Sequence, residues 1–240
     1  MDVSKLKELY EGKAKIIYQD ENPDNVVIYF KDDATAFNGV KKASIESKGV
    51  LNNKITTIIF NYLIKNGIKT HYIKTLDDRC QLVEKIDIIP LEFICRNIVA
   101  GSMAKRLGME EGKELEYPIL EICYKKDELN DPLLIDTHAY ALGIVKPDDL
   151  KYCYEQLEKI NDLLKALFSK IGIILVDFKV EFGFNKQGEI VLADEFSPDN
   201  ARLWDAQTKQ KLDKDVFRRD LGNLTDTYSI ILEKLEALDI

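Results

Sequence analysis

The residues best suited to catalysis lie in a short alternating segment, VDFKVEFG, at residues 176–183. Side chains of a β-strand alternate between its two faces, so Asp177, Lys179 and Glu181 share one face and the apolar residues share the other. A turn then returns the chain along a second strand that ends in Asp194. If the turn sequence NKQG forms the whole loop, Glu181 and Asp194 are diagonal neighbours, about 7–8 Å apart. Two carboxylates at this separation predict a site for one Mg²⁺ ion together with nucleotide phosphates.

The register of this hairpin decides whether the site exists. A shift by one residue would turn Asp194 to the opposite face and separate it from Glu181. The alternative is a solvated charged face in which Lys179 pairs with its neighbours, and surface ion pairs of that kind are common. The next segment, EFSPDNARLW at residues 195–204, adds acids, an arginine and a tryptophan in a predicted loop, which favours a functional site.

Two further segments combine small residues with basic ones, as anion-binding sites do. In the first, Gly12 lets the backbone approach a phosphate closely, and Lys13 and Lys15 supply charge. It is not a P-loop, and composition alone favours a solvated lysine-rich turn. In the second, residues 96–106 lead into a predicted helix whose free N–H groups attract anions.

The second segment also has a structural explanation. Arg96 suits a bidentate phosphate contact, but it also suits a salt bridge with a neighbouring acid. Ser102 is predicted as the N-cap of its helix, and that alone would explain a serine there. Lys125 and Asp131 lie in a turn-rich stretch where a substrate loop and ordinary surface charge both remain open.

Composition limits the classes of function. The chain has 240 residues and a formal net charge of −8, which argues against nucleic acid or an anionic membrane as the main partner. The four cysteines are scattered without a paired spacing, so we expect reduced thiols and no zinc site. The first residues lack the apolar core of a signal peptide, and no stretch approaches the roughly 18 apolar residues of a membrane span. We therefore expect a cytoplasmic protein.

The elements that position these residues follow from hydrophobic periodicity. Strands come first and mixed elements follow, which predicts an α+β fold rather than a doubly wound sheet. The break at Pro90 predicts a mainly β part at 1–88, an α+β part at 89–240 and a cleft between them. Strands are predicted at 14–18, 25–30, 71–76, 80–85 and 91–99, a hairpin at 173–196, and helices at 51–63, 102–107, 157–168 and 217–235.

Five segments, in order along the chain, resemble the SAICAR synthetase family, the phosphoribosylaminoimidazole-succinocarboxamide synthases. They are YEGKAKIIY at 10–18, SKGVLNNK at 47–54, RNIVAGSMAKRLG at 96–108, LVDFKVEFG at 175–183 and DEFSPDNARLWD at 194–205. The resemblance implies a two-part α+β fold related to ATP-grasp and kinase-like nucleotide binders, with antiparallel sheets and ATP in the cleft between them. It implies an ATP- and Mg²⁺-dependent ligase of purine biosynthesis that joins L-aspartate to carboxyaminoimidazole ribonucleotide, and a homodimer.

The resemblance also assigns residues to roles. The nucleotide-binding set combines a phosphate loop with a connector whose backbone meets adenine: Gly12, Lys13, Ala14, Lys15, Glu84, Ile86 and Ile88. Glu181 and Asp194 resemble the metal ligands, and Asp177 and Lys179 resemble catalytic residues. Arg96, Ser102 and Arg202 resemble the clamp on the substrate's 5′-phosphate. The other predicted substrate contacts are Lys125, Asp131 and Asp199. The family usually has an aspartate near Asn38, so the role of Asn38 is open.

Two other classes would share a nucleotide cleft. A small-molecule or protein kinase needs no clamp on a sugar phosphate, and the sequence has DFK at residues 177–179 in place of the kinase DFG motif. A nucleotide sensor would bind ATP without turnover. An assay of ADP formation that depends on aspartate separates all three.

Overall fold

The computed structural model describes residues 1–36 and 40–238 as two large antiparallel sheets and a small two-stranded one, β4-β5, packed with helices. The strands are β1 (Glu8–Glu11), β2 (Lys15–Gln19), β3 (Asn25–Phe30), β4 (Asp33–Ala36), β5 (Lys41–Ser44), β6 (Tyr72–Thr75), β7 (Cys80–Glu84), β8 (Asp87–Ile88), β9 (Leu91–Ile98), β10 (Glu114–Tyr124), β11 (Leu133–Leu134), β12 (Ile173–Phe184), β13 (Ile190–Ala193) and β14 (Ala201–Asp205). The helices are α1 (Lys48–Lys65), α2 (Gly101–Leu107), α3 (Asp136–Ala141), α4 (Pro147–Lys170), α5 (Asp215–Arg218) and α6 (Leu224–Glu236). The predicted α+β fold is confirmed.

The first sheet contains five strands in the order β1-β2-β3-β7-β6. β2 and β3 form the predicted hairpin, paired from Lys15 opposite Phe30 to Gln19 opposite Val26. Val26 and Ile28 of β3 are buried with Val83 of β7, so the β-branched residues that favour a strand also form a small core beneath this sheet.

The second sheet contains seven strands in the order β11-β10-β9-β12-β13, with β8 and β14 also paired to β12. One face of β12 packs on the helices, because Phe178, Val180 and Phe182 belong to the main hydrophobic core. The opposite face carries Asp177, Lys179 and Glu181, as the alternation predicted. The central strand therefore separates the core from the charged side chains.

The main core joins elements from both halves of the chain. Apolar residues of α1, including Ile55 and Ile59, are buried in the same cluster as residues of α4, β12 and α6. β8 pairs with β12, so the segment just before Pro90 is already part of the second sheet. The boundary at residue 88 stays a prediction.

Three local predictions were wrong. The stretch predicted as turn-rich contains β10, whose pairing with β9 shifts between Glu114 and Ile119, so its alternation is interrupted. The predicted last helix is two helices, α5 and α6, because residues 219–223 do not continue the helix. Ser102 is not an N-cap: the N-cap of α2 is Ala100, and Ser102 lies inside the first turn.

Among the helices of the described ranges, none combines the length and apolarity of a membrane span.

Candidate active site

A cavity of about 520 Å³ opens between the two sheets. The first sheet lines it with apolar residues such as Ile17 and Val83, and the second sheet lines it with charged ones. A flat apolar base suits the first surface, and phosphates suit the second. The sequence-predicted residues that it brings together are Gly12, Lys13, Ala14, Lys15, Glu84, Ile86, Ile88, Lys125, Asp131, Lys179, Glu181, Asp194 and Asp199.

The turn between β1 and β2 carries the two predicted phosphate-binding lysines. The amide of Gly12 donates to the carbonyl of Lys15 at 2.8 Å, which closes the turn. Lys13 is about half exposed and pairs with Asp127 at 2.9 Å. Lys15 is mostly buried and pairs with Asp194. Burial opposes the charge of Lys15, yet Asp194 and Glu195 raise its pKa above the usual range, so it remains a cation.

The predicted register of the carboxylate hairpin was wrong. Glu181 pairs with Ala193 and Phe184 with Ile190, so the loop has one residue more than expected. This is the shift that should have turned Asp194 away. Asp194, however, leaves the strand in a left-handed conformation, with φ of +66°. An extra twist of this kind changes the direction of the side chain, and Asp194 lines the same cavity as Glu181.

The pKa values of the two carboxylates shift in opposite directions because their surroundings differ. Burial raises the pKa of Glu181, and the neighbouring negative charge of Asp194 raises it further. Burial also opposes the charge of Asp194, but Lys15 and Lys179 hold the pKa of that carboxyl well below its usual range. Glu195 is buried beside them, and burial raises its pKa. The site is therefore a concentration of negative charge that needs nearby cations.

Lys15, Lys125 and Lys179 provide those cations. Lys125 donates to Oε2 of Glu181 at 2.5 Å, and Lys179 donates to Glu92 at 2.5 Å. Lys179 is also 3.9 Å from Glu181. Burial opposes the charge of Lys179, but Glu92 and Asp194 raise its pKa, so it stays protonated. A protonated lysine can neutralise charge but cannot accept a proton.

The oxygen donors fit a hard divalent cation. Within residues 1–36 and 40–238, no group of three or more His, Cys, Asp or Glu side chains has metal-site geometry. Mg²⁺ commonly uses one or two protein carboxylates and takes its remaining ligands from water and substrate phosphates. Glu181 and Asp194 match that requirement, since both carboxylates face one cavity and are neutralised by lysines.

A second cavity of about 330 Å³ adjoins the first. Lys13, Lys179, Asp199 and Lys214 line both cavities. The second cavity has six cationic side chains and two carboxylates, so it carries an excess of positive charge suited to anions. Those eight residues are Lys13, Arg96, Lys179, Arg202, Lys214, Arg218, Asp177 and Asp199.

Two arginines of the second cavity are fixed by a shared carboxylate. Asp177 accepts from Nη1 of Arg96 at 2.9 Å and from Nη1 of Arg202 at 2.8 Å. Arg96 also donates from Nε to Glu121 at 2.8 Å, and Arg202 donates from Nε to Asp215 at 3.1 Å. Each guanidinium is thus oriented from two sides, and some of its five N–H groups remain for a ligand.

The small residues of the RNIVAGS segment make room for this pair. Gly101 has φ of +57°, and a Cβ at this position would overlap the guanidinium of Arg202. The hydroxyl of Ser102 accepts a weak contact from Nη2 of Arg96 at 3.4 Å. Ser102 therefore lies beside the clamp that it was predicted to join.

Of the residues that hold Asp199, Lys48 lies in the family-like segment at 47–54 but had no assigned role, and Lys214 and Tyr228 lie outside all five segments. This buried carboxylate pairs with Lys48 at 2.5 Å and with Lys214 at 3.6 Å, and the hydroxyl of Tyr228 donates to it at 2.6 Å. Burial opposes its charge, but Lys214 and Lys48 hold its pKa well below the usual range. Lys48 and Tyr228 come from α1 and α6, so only the tertiary fold brings them to the site.

The histidines have different positions. His71 is buried, lines the nucleotide-side cavity and contacts the backbone of Asp194, although the sequence assigned it no role. Burial and the charge of Lys15 lower the pKa of His71 to about 4, so its ring is neutral near pH 7. His138 lies on α3. Asn38 is outside the described residues.

Comparisons with known proteins identify the family of the chain. A family model described as SAICAR synthetase matches residues 8–235. The chain is 59% identical to the phosphoribosylaminoimidazole-succinocarboxamide synthase of Dichelobacter nodosus, with 97% of each chain covered. It is similar to the crystal structure of this synthase from Ehrlichia chaffeensis, with a TM-score of 0.94, 45% identity and coverage of 98% and 100%. It is also similar to a SAICAR synthetase solved in complex with ADP, with a TM-score of 0.93, 50% identity and coverage of 95% and 97%.

Proposed function

Because the chain belongs to the SAICAR synthetase family, we propose that its two cavities together perform the ATP-dependent condensation of L-aspartate with carboxyaminoimidazole ribonucleotide (CAIR). The products are SAICAR, ADP and phosphate, and the reaction is a step of purine biosynthesis. The observation that carries this proposal is the shared wall of the two cavities, which contains Lys13, Lys179, Asp199 and Lys214. A nucleotide on one side and an anionic acceptor on the other meet at that wall.

ATP is assigned to the larger cavity. The apolar side chains of Ile17, Val26 and Val83 offer a surface for adenine, and the connector from Glu84 to Ile88 borders the same space. Lys13 and Lys15 then lie on the phosphate side, next to the carboxylates of the second sheet. The nucleotide would span the two sheets.

Glu181 and Asp194 are the proposed ligands of Mg²⁺. A bound Mg²⁺ would neutralise phosphate oxygens during transfer, which is the main requirement of phosphoryl-transfer catalysis. Lys15 and Lys125 now pair with these carboxylates and would exchange those partners for phosphate oxygens when Mg·ATP binds. Both carboxylates would then be free to bind the metal.

The 5′-phosphate of CAIR is assigned to Arg96, Ser102 and Arg202. Two guanidinium groups fixed by Asp177 form a preorganised clamp for a phosphate dianion. Asp177 has both oxygens engaged by Arg202, and one of them also by Arg96, so we assign it to orienting the clamp. Such a clamp directs the other end of CAIR toward Lys179 and the first cavity.

L-Aspartate brings two more carboxylates, and the second cavity has unassigned cations for them. Lys214 and Arg218 line it beside the clamp. Burial lowers the pKa of Lys214, while Asp199 opposes that effect. An anionic substrate would further favour the protonated lysine. We therefore assign Lys214 and Arg218 to the dicarboxylate.

The chemistry follows from these positions. The carboxylate oxygen of CAIR attacks the γ-phosphorus of ATP, the bond to ADP breaks, and the product is an acyl phosphate. The neutral amine of aspartate then attacks the acyl carbon, phosphate leaves, and the amine proton is released to solvent or phosphate. Lys179 remains protonated between the two sites, so it stabilises the transferred phosphoryl group by charge rather than acting as a base.

Substrate omission tests the proposal. Purified protein is incubated with Mg·ATP, CAIR and L-aspartate, each omitted in turn, and ADP and SAICAR are measured together. We expect rapid formation of both only in the complete mixture. ADP formation that ignores aspartate would indicate a kinase, and nucleotide binding without turnover would indicate a sensor.

The family also leads us to propose a homodimer in the cytoplasm, with small molecules as the ligands. Light scattering at several protein concentrations tests the dimer, and a mass equal to a single chain would reject it. Cell fractionation tests the location.

A further inference from the structure

His71 joins three elements of the nucleotide-side cavity through three polar groups. Its amide donates to the carbonyl of Leu192 in β13 at 2.9 Å. Its carbonyl accepts from the amide of Glu84, at the start of the proposed adenine connector, at 2.7 Å. Its ring Nε2 is 3.2 Å from the carbonyl of Asp194. A carbonyl oxygen only accepts, so Nε2 carries the proton and donates.

The bond to Asp194 falls on an unusual stretch of backbone. Asp194 is the residue whose left-handed conformation returns its carboxylate to the side of Glu181 after the register shift. Non-glycine residues adopt this conformation only at a cost, and the surrounding structure must hold them in it. Within the described residues, the ring of His71 is the side chain that donates to this peptide.

The ring itself has little freedom to move. His71 is 4% exposed, and its ring lies 5.9 Å from the ring of Phe60 in α1. The neighbouring Thr70 and Leu192 form a bridge between the two sheets. A fixed donor on a fixed backbone is suited to setting the direction of the residue that it contacts.

We propose that His71 is a positioning residue that holds the Asp194 peptide in the conformation needed for metal binding and couples it to the adenine connector. The inference rests on the proposed role of Asp194 as a Mg²⁺ ligand. It adds a link between the two ends of the nucleotide, since one residue contacts the connector at Glu84 and the metal side at Asp194.

The test measures ADP binding by calorimetry with and without Mg²⁺, in the parent and in three variants. His71→Phe keeps a ring of similar size but removes the donor, and His71→Gln restores an N–H donor near the position of Nε2. Ile59→Val removes buried volume from α1 without altering a polar group, and it is the control for general destabilisation. We expect the parent to bind ADP more tightly with Mg²⁺ than without it. The ratio of these two affinities is the Mg²⁺ gain, and we expect it to be roughly tenfold smaller in His71→Phe.

The expected pattern has three further parts. His71→Gln recovers most of the Mg²⁺ gain, and Ile59→Val keeps all of it. In His71→Phe, the ADP affinity measured without Mg²⁺ changes less than the affinity measured with Mg²⁺. A parental gain that survives in His71→Phe overturns the inference. A parent whose ADP affinity ignores Mg²⁺ instead rejects the metal assignment in the proposed function. If His71→Phe does not fold, His71→Asn, whose side chain is too short to reach Asp194, is compared with His71→Gln. Equal Mg²⁺ gains in these two variants overturn the inference.

Discussion

The two cavities are built on the same face of β12 but hold their charges in different ways. In the nucleotide cavity, Glu181 pairs with Lys125, whose side chain is 42% exposed. In the clamp, Arg96 pairs with Asp177, and both side chains are 5% exposed. A partly exposed lysine such as Lys125 exchanges partners easily, whereas an arginine held from two sides does not. On the proposed assignment, the difference separates a region that reorganises around metal and nucleotide from one that is ready for a phosphate.

Removal of a metal ligand should have the largest effect, because it acts on the region that reorganises. Glu181→Gln and Asp194→Asn each replace a hard anionic oxygen by an amide, so we expect kcat with Mg·ATP to fall on the order of a hundredfold. The fold should remain intact, as judged by circular dichroism and thermal unfolding. Titration of Mg²⁺ at saturating substrates measures the effect. Unchanged rate and magnesium dependence in both variants would remove these residues from the metal site.

Truncation of the clamp should have the next largest effect and a different signature. Arg96→Ala or Arg202→Ala removes a charge-assisted contact worth about 1.5–3 kcal/mol, so KM for CAIR should rise about tenfold to a hundredfold. KM for ATP should change far less. Separate titrations of the two substrates decide between the regions. A rise in KM for ATP alone would assign these arginines to the nucleotide cavity and contradict the comparison.

A smaller change can test whether the clamp is rigid. Gly101→Ala adds a Cβ that overlaps Arg202, so we expect KM for CAIR to rise roughly fivefold through displacement of the guanidinium. Gly108→Ala is a matched control, since Gly108 also has positive φ, +62°, and the described part of the chain places no atom within 4 Å of the added Cβ. Both variants carry backbone strain, and only Gly101→Ala should alter CAIR binding. Equal KM values in the two would contradict a rigid clamp.

Features that depend on local sequence were predicted more accurately than features that depend on distant contacts. The alternation of Asp177, Lys179 and Glu181 fixed their common face, because strand geometry has a strict period of two residues. The register of the same hairpin was mispredicted, because a single residue in the loop and the left-handed turn at Asp194 are not encoded in that period. The two deviations compensate, so Glu181 and Asp194 line one cavity although the register was mispredicted.

Features that depend on distant packing were not predicted. Lys48 and Tyr228 reach Asp199 from helices that are far apart in the sequence. β10 was missed because its pairing with β9 is interrupted between Glu114 and Ile119. Even the family-like segment at 47–54, which contains Lys48, does not indicate which residues it contacts, and only the fold shows them.

The smallest expected effect concerns the residues that join the two regions. Tyr228→Phe removes the hydroxyl that donates to the shared residue Asp199 and leaves the ring in the core. Loss of one buried hydrogen bond costs about 1–3 kcal/mol, which should appear as a lower free energy of unfolding. We expect only a few-fold change in KM for either substrate, because Lys48 still pairs with Asp199. Urea unfolding with steady-state kinetics measures both, and a large loss confined to kcat would give Tyr228 a direct catalytic role.

The most direct test of the account follows the oxygen atom that passes from the carboxylate of CAIR to the released phosphate. CAIR labelled with ¹⁸O in its carboxylate is converted with Mg·ATP and L-aspartate, and the released phosphate is analysed by mass spectrometry. If the carboxylate attacks the γ-phosphorus, one carboxylate oxygen leaves with the phosphate for every SAICAR formed. The account therefore predicts one ¹⁸O atom per phosphate. Unlabelled phosphate, with SAICAR formed in equal amount, would show that the carboxylate is not phosphorylated and would contradict it.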